Sequence, residues 1–217
     1  SLIKAAAEAG YETFEDSNGF KQDGFGTFDV TIDGGKRQSV ARAYLEEVKN
    51  YNNLKIKHQT DVSKIIFKDK KAIGVEVKNN NKTEIYHCNK EIILSAGSIN
   101  SPKILQLSGV GDPELLKQNN IEVIHELPGV GQNLQDHLEI YIQHKSKTND
   151  TLYNLSTNYF TQAIEGMKWF LLKKGMLTFS HLELGGFVKT SEKYKHPNIQ
   201  LHFFPSLVIN HGLTNPS

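Results

Sequence analysis

Residues 94–111 read L-S-A-G-S-I-N-S-P-K-I-L-Q-L-S-G-V-G, and residues 127–139 read L-P-G-V-G-Q-N-L-Q-D-H-L-E. Two glycine-rich turns therefore enclose a short helical segment, and a D-H-x-E cluster ends the second turn. Glycines at this density are typical of places where the backbone takes a positive φ or approaches another group closely. The stretch predicts a backbone that lies against a bound group.

The residues around the first turn predict a strand and two helices. Residues 91–95 form an apolar run that predicts a short buried strand ending in A-G. We expect a helix to begin at Ser101-Pro102, because proline is favoured in the first helical turn. Residues 108–111 are typical of a helix C-terminus followed by a turn. Asp112 is expected to cap a second short helix, Pro113 to Gln118.

Helix and strand patterns continue on both sides of this stretch. Before it, we expect a helix at 2–9 that stops at Gly10, a turn-rich segment at 11–35, and a helix at 39–50 capped by Ser39, with Val40 and Tyr44 on its apolar face. Strands are predicted at 54–58, 61–67, 72–78 and 83–88, with a hairpin turn at 79–82. After it, we expect strands at 140–144, 185–188 and 199–204 and an amphipathic helix at 159–173, with Phe160, Ile164, Met167, Trp169, Phe170 and Leu171 on its apolar face.

The composition suits a globular chain of one large or two small domains. Its 217 residues carry a net charge of +1, so we expect no nucleic-acid partner. The single cysteine, Cys88, excludes a disulfide within the chain and is typical of a reducing compartment. No apolar run approaches the roughly 20 residues that span a bilayer, and no histidine or cysteine spacing predicts a metal site. We expect a cytoplasmic protein and leave peripheral attachment to the inner membrane open.

Both ends of the sequence predict a piece of a longer protein. The chain starts S-L-I-K-A-A-A-E-A-G, inside a helical pattern and without an initiator methionine. It ends G-L-T-N-P-S after an apolar run and without a capping helix. The alternative is a natural small protein that has lost its methionine.

Residues 97–111, G-S-I-N-S-P-K-I-L-Q-L-S-G-V-G, resemble the second signature of the glucose–methanol–choline (GMC) family of flavin oxidoreductases. The continuation H-E-L-P-G-V-G-Q-N-L-Q-D-H-L-E-I-Y (125–141) is similar to the members of that family that oxidise choline. So are S-V-A-R-A-Y-L-E (39–46), L-E-L-G-G-F-V (182–188) and H-P-N-I-Q-L-H-F-F-P (196–205). The similarity covers essentially the whole chain.

The resemblance implies an α/β plus α+β fold. Residues 36–137 would form the central part of a Rossmann-like FAD-binding domain that carries an antiparallel meander. Residues 1–35 would belong to a lid or substrate-domain segment, and residues 138–217 to a substrate domain with an antiparallel sheet and helices. The family's G-x-G-x-x-G fingerprint and its catalytic histidine segment are absent from the sequence. We therefore assign no catalytic residue and expect the chain alone to hold FAD poorly.

The resemblance also implies which residues border the cofactor. The backbone N–H and C=O of Val62 would pair with the adenine of FAD, which requires only an extended strand end. Ala96 and Gly97 would let the backbone pass close to the flavin. Asn133 lies in the loop that leaves the flavin domain, where Asp136 is expected to bond backbone N–H groups. From the residues alone, Val62 also fits an ordinary buried strand valine, and Ala96-Gly97 fits a tight strand-to-helix turn.

Glu139, His137 and His202 are the substrate-binding residues that the resemblance implies. Glu139 would face the trimethylammonium group of choline, a cation without N–H groups that a carboxylate and aromatic faces can hold. The candidate rings are those of Tyr141, Trp169 and Phe203. His137 would lie on the flavin side, and His202 would line the alcohol pocket. As alternatives, Glu139 fits a solvated strand-edge residue and His202 a core histidine.

Together these features imply part of an enzyme that oxidises choline to betaine aldehyde with FAD, in the synthesis of glycine betaine. We expect choline as the small-molecule substrate, an electron acceptor in the respiratory chain, and self-association of the isolated chain through exposed edges. The chain alone is not expected to turn over choline. Two alternatives stay open: another alcohol dehydrogenase or oxidase of the family, and a non-catalytic binding module on the same scaffold.

Overall fold

The chain folds into two compact units in the computed structural model, which describes residues 2–79, 82–145, 147, 152, 157–178 and 182–206. One unit combines Ser1–Tyr51 with Ile140–Ser217, and we call it the split unit. The other is the continuous stretch Asn52–Glu139, which we call the central unit. The predicted domain limits at residues 35 and 137 stay a prediction.

The helices, in chain order, are α1 (Leu2–Glu8), α2 (Glu46–Val48, continuous with a π-helical turn at Ala41–Leu45), α3 (Gly97–Leu107), α4 (Pro113–Gln118) and α5 (Tyr159–Leu172), which a 3-10 turn, Met176–Thr178, follows. The strands are β1 (Thr13–Phe14), β2 (Gly24–Thr27), β3 (Ile32–Asp33), β4 (Lys36–Arg37), β5 (Asp61–Lys68), β6 (Lys71–Asn79), β7 (Lys82–His87), β8 (Val110–Gly111), β9 (His125–Glu126), β10 (Leu184–Val188) and β11 (Ile199–Phe203). Within the described ranges, no helix is both long enough and apolar enough to cross a bilayer.

An antiparallel meander, in the order β5-β6-β7, forms the frame of the central unit. The predicted strands at 61–67, 72–78 and 83–88 are thereby confirmed to within about one residue at each end. Ile65 and Val77 point into the core from neighbouring strands. Residues 80 and 81, where the sequence predicts the hairpin turn, lie outside the described residues.

One buried serine attaches α3 to β5. The Ser108 hydroxyl accepts the Ile65 N–H at 2.7 Å and donates to the Ile104 carbonyl at 2.5 Å. Both bonds are buried, so losing the hydroxyl would leave the Ile65 N–H without its partner at a cost of about 1–3 kcal/mol. A single side chain therefore joins two elements that lie 43 residues apart in the sequence.

Glycine and aspartate set the direction of the chain after α3. Gly109 follows the helix with φ +81°, a left-handed conformation that glycine adopts without strain. The next two residues form β8, which pairs in parallel with β9. Asp112 Oδ1 accepts the N–H groups of Glu114 at 2.9 Å and Leu115 at 3.0 Å. The predicted helix C-terminus and the predicted cap of α4 are both confirmed.

The predicted start of α3 is wrong. The helix begins at Gly97 rather than at Ser101-Pro102, and Pro102 lies inside it. The Ser101 hydroxyl accepts the Ala96 N–H at 3.0 Å and so closes the first turn ahead of the proline. Pro102 has no N–H, so one intrahelical bond of α3 is not made.

Three predicted strands, at 54–58, 91–95 and 140–144, are also wrong, since none of these segments pairs as a strand in the structure. An apolar run becomes a strand only when a neighbouring strand takes up its N–H and C=O groups. Among the described strands, none pairs with any of the three segments. Several of their apolar side chains are exposed, as at Ile93 (79%) and Ile140 (77%).

The split unit contains a four-stranded sheet in the order β1-β2-β10-β11. Strand β10 is antiparallel to both of its neighbours, and β10 and β11 confirm the strands predicted at 185–188 and 199–204. Gly26 pairs with Phe14 on one side and with Gly185 on the other, and Gly185 pairs with His202. One row across the sheet therefore consists of Phe14, Gly26, Gly185 and His202. The two glycines leave room above the middle of this row for rings from elsewhere.

The helices predicted at 39–50 and 159–173 are confirmed in position, but their apolar faces are exposed. Val40 and Tyr44 are exposed in the first, and Phe160 and Phe170 in the second. Helical spacing indicates which residues share a face, but it does not show whether another element covers that face.

A carboxylate is the buried side chain of α5. Glu165, only 6% exposed, accepts hydrogen bonds from Lys168 Nζ at 2.6 Å and from the Met176 N–H at 2.8 Å. The bond from Lys168, and after it the bond from Met176, hold the pKa of Glu165 below its ordinary value of 4.5. The carboxylate thus joins α5 to the 3-10 turn that follows it.

We expect Glu165→Gln to lower the melting temperature at neutral pH. As the pH falls, the melting temperature of the variant should decrease less than that of the unchanged protein. A depressed folded-state pKa stabilises the fold above pH 4.5, and this contribution is lost as the pH falls through the lower folded-state value. Trp169 is the single tryptophan and lies in α5, so its fluorescence reports this melting. Glu114→Gln is the control, because Glu114 forms an exposed i,i+3 pair with Lys117. Equal shifts in both variants would refute the role of Glu165.

Candidate functional site

Ala96 and Gly97 form the start of α3, where the backbone is open to approach. Gly97 has φ +85°, and an added Cβ would meet no described atom within 4 Å. The Ala96 N–H is already bonded to Ser101, which fixes the turn. A glycine in the left-handed region with clear space beside it fits a position where a cofactor passes close to the backbone.

Val62 lies on β5 beside a bulge. It pairs with Val77, and the register shifts between Val62 and Lys64. Val62 is 40% exposed, so it is not the buried strand valine of the alternative interpretation. Because Ser108 bonds β5 to α3, Val62 and Gly97 belong to two directly connected elements.

Gln106 attaches the second glycine-rich turn to α3. Its Nε2 donates to the Val130 carbonyl at 3.1 Å. Gly131, with φ +80°, lies so close that an added Cβ would be 2.9 Å from the same nitrogen. Asn133 also has a positive φ, +56°, and its Oδ1 accepts a bond from Gln135 at 2.9 Å. The loop that carries the D-H-x-E cluster is therefore held at its start by the helix.

The D-H-x-E cluster is exposed at the end of the central unit. Asp136 Oδ1 accepts the His137 N–H at 2.8 Å, which is the loop-stabilising role predicted for this aspartate. The side chains of His137 and Glu139 both lie at the surface of this unit. A carboxylate and an imidazole two residues apart on a held loop can bind a cation and a polar group, respectively.

A cavity of about 730 Å³ lies within the split unit, a size that suits a small ligand. Phe28 and Phe187 form the aromatic part of its wall, and His202 and Gln200 lie opposite Gly185 and Phe187 in the register of β10 and β11. The charged residues Asp29 and Arg37 also line it. The structure therefore places His202 at a cavity wall rather than in a sealed core.

The three candidate aromatic rings have different surroundings. Trp169 donates its Nε1–H to the Gly35 carbonyl at 2.8 Å, and Lys173 Nζ lies 4.1 Å from the ring centre. This ring already has a cation on it, which disfavours it as the choline ring. Phe203 follows His202 on β11 and therefore points to the other face of the sheet. Tyr141 is 44% exposed.

Sequence reasoning missed three residues that organise these sites: Ser108, Gln106 and Phe28. Ser108 and Gln106 stand inside the glycine-rich signature, but their hydrogen-bond partners are distant in sequence. The G-G pair at 185–186 was the available signal for Phe28, because adjacent strand glycines often mark a close approach by a ring or backbone. In the described parts of the chain, no group of histidine, cysteine, aspartate and glutamate side chains could hold a metal ion.

Comparison with known proteins gives one family and a consistent set of relatives. Residues 1–139 match the family model described as GMC oxidoreductase. The mitochondrial choline dehydrogenase of Homo sapiens is 45% identical over 212 residues, which are 98% of this chain and 36% of that protein. The oxygen-dependent choline dehydrogenase of Cronobacter sakazakii is 42% identical over 218 residues, or 99% of this chain and 39% of that protein. The chain thus spans between a third and two fifths of the length of these relatives.

Solved structures agree on the fold. An FAD-dependent oxidoreductase from Chaetomium thermophilum aligns with a TM-score of 0.79 and 34% identity, over 85% of this chain and 33% of that chain. A formate oxidase aligns with a TM-score of 0.80 over 95% of this chain and 40% of that chain, at 23% identity. The second likeness concerns the fold alone. The mixed α/β and antiparallel architecture predicted from the sequence is confirmed.

Proposed function

Because this chain belongs to the GMC oxidoreductase family, we propose that it is part of an FAD-dependent choline dehydrogenase. The observation that supports this most is the 45% identity to a choline dehydrogenase across 98% of the chain. The complete enzyme, meaning the protein that contains this chain, would oxidise choline to betaine aldehyde for glycine betaine synthesis. Residues 36–137 would serve the flavin domain, and residues 1–35 and 138–217 the substrate domain.

Four residues are proposed to border FAD: Val62, Ala96, Gly97 and Asn133. The open backbone at Gly97 and the place of Val62 on β5, an edge strand of the meander, both fit a bound cofactor. The backbone N–H and C=O of Val62 would hold the adenine, one as a donor and the other as an acceptor. When bound, FAD supplies the acceptor for the hydride that the alcohol carbon gives up. The residues of this chain hold and orient the cofactor and the substrate. None of them is assigned as the base that removes the hydroxyl proton.

Glu139 is proposed to hold the trimethylammonium group of choline. That group has no N–H, so Coulomb attraction to a carboxylate is the main polar interaction it can make. His137, on the same loop, is proposed to contact the flavin side of the substrate. His202 is proposed as a contact for the alcohol, and its place in a cavity wall supports this.

We expect the complete enzyme to reduce a dye in the presence of choline, whereas the 217-residue chain alone will not, even with added FAD. The chain covers only about a third of its relatives, and the residues proposed here bind rather than catalyse. Anaerobic dye reduction and aerobic oxygen consumption, measured side by side, also distinguish the two classes of electron acceptor. Turnover of choline by the chain alone would show that the assignment of roles is wrong. A complete enzyme without flavin absorbance would instead favour a non-catalytic binding module.

A further inference from the structure

Glycines lie in the middle of the sheet face that borders the split-unit cavity. Paired residues on antiparallel strands point to the same side, so Gly185 and His202 share this face, and Phe187 and Gln200 share it two residues further along. An added Cβ at Gly185 would overlap the Leu201 carbonyl oxygen. It would also lie 2.6 Å from Phe28 Cε2. The ring of Phe28 therefore occupies the space that a side chain at 185 would take.

Phe28 contacts the imidazole of His202 from this position. The two ring centres are 5.4 Å apart with an interplanar angle of 66°, an edge-to-face arrangement. In the described part of the chain, Phe28 is the ring partner that the structure gives to His202. A single ring contact restrains the imidazole and leaves at least one of its two nitrogens for a ligand in the cavity.

Phe28 is itself held from several sides. Its N–H donates to the Glu183 carbonyl at 2.6 Å, which fixes the backbone at the end of β2. Its ring centre lies 5.7 Å from that of Phe187 and 6.4 Å from that of Phe14. A side chain restrained on its backbone and on two rings can transmit that restraint to the imidazole beside it.

We propose that Phe28 is a positioning residue that holds the His202 imidazole at the cavity wall, where a nitrogen can hydrogen-bond the hydroxyl group of a small alcohol. The part of this inference that concerns the alcohol rests on the proposed function. The part that concerns Phe28 and His202 rests on the sheet register and the ring contact. Phe28 does not touch the hydroxyl group in this scheme and acts only through the imidazole.

The complete enzyme carrying Phe28→Leu tests the proposal, with Phe25→Leu as the matched control. Phe25 is a phenylalanine of β2 three residues before Phe28, but its ring contacts Tyr11 and does not line the cavity. We expect kcat/KM for choline to fall about tenfold in Phe28→Leu, mainly through kcat, and to stay within about twofold in Phe25→Leu. Phe28→Tyr keeps the ring edge and should restore most of the lost activity.

A double-mutant cycle shows whether Phe28 affects turnover through His202. If Phe28 acts through the imidazole, Phe28→Leu in a His202→Gln background will cause little further loss. Independently of turnover, the NMR signal of the His202 Cε1 proton should shift in Phe28→Leu and stay in place in Phe25→Leu. Additive losses, or an unmoved His202 signal, would overturn the positioning role. A shifted His202 signal in an enzyme that does not oxidise choline would sustain the positioning role and reject the proposed substrate.

Discussion

Glu139→Gln in the complete enzyme should raise the KM for choline about 100-fold, which corresponds to about 2.8 kcal/mol of binding free energy. Two unit charges 4 Å apart attract each other by about 4 kcal/mol near a protein surface, and the amide keeps the shape of the side chain but loses that attraction. Cation–π contacts, worth about 0.5–2 kcal/mol, would survive the substitution. The expected loss is therefore large but incomplete.

A neutral isostere of choline, with carbon in place of the ammonium nitrogen, is the decisive second substrate. Its KM should stay within about twofold in Glu139→Gln, because a neutral group gains little from a carboxylate. Glu126→Gln supplies the control protein, since Glu126 is an exposed glutamate of β9 in the same central unit. Equal changes for the charged and the neutral alcohol would reject Glu139 as the cation site. They would favour another alcohol oxidoreductase of the GMC family.

Gly109→Ala should destabilise the region from α3 to β9 by about 3 kcal/mol. Gly109 has φ +81°, where an L-residue is strained by about 1–2 kcal/mol. An added Cβ would overlap the Glu122 carbonyl oxygen and lie 2.7 Å from Ile124 Cγ1, and overpacking of this kind costs about 1–3 kcal/mol more. The Gly109 carbonyl also accepts the Ile124 N–H at 2.8 Å, so relief of the overlap would stretch that bond.

Hydrogen–deuterium exchange in the complete enzyme measures this effect locally, because amides of residues 97–126 report the opening of the region directly. Gly129→Ala is the matched control from the same glycine-rich stretch. No described atom lies within 4 Å of a Cβ added at Gly129, so exchange should be unchanged. Flavin content should fall in Gly109→Ala and persist in Gly129→Ala. If both variants exchange alike, the close approach at Gly109 has no energetic importance.

Local sequence patterns predicted the elements whose partners are close in the chain. The meander from β5 to β7 followed from apolar runs separated by short turns, and its strands pair with their sequence neighbours. The Asp112 cap and the turn at Gly109 followed from backbone geometry within a few residues. The strand predictions at 54–58 and 91–95 were wrong for the converse reason, because a strand needs a pairing partner and the local sequence does not specify a distant one.

For the candidate site, too, the sequence predicted some features and not others. The resemblance supplied Val62, Gly97 and Glu139 from motif matches, and their roles stay predictions. The contacts that hold these residues were not predictable, because Ser108 bonds Ile65 43 residues away and the partner of Gln106 is 24 residues away. Neither serine nor glutamine in a helical pattern indicates whether its side chain will be buried.

By itself, the sequence determined the family, the position of the glycine turns, and the types of most helices and strands. These properties follow from short-range geometry: positive φ at glycine, caps at helix ends, and residue periodicity. Only the tertiary structure decided that α3 connects β5 to the D-H-x-E loop and that Phe28 lies on Gly185 against His202. The physical reason is that burial and ring packing join residues from distant parts of the chain, and a local pattern does not specify its distant partner.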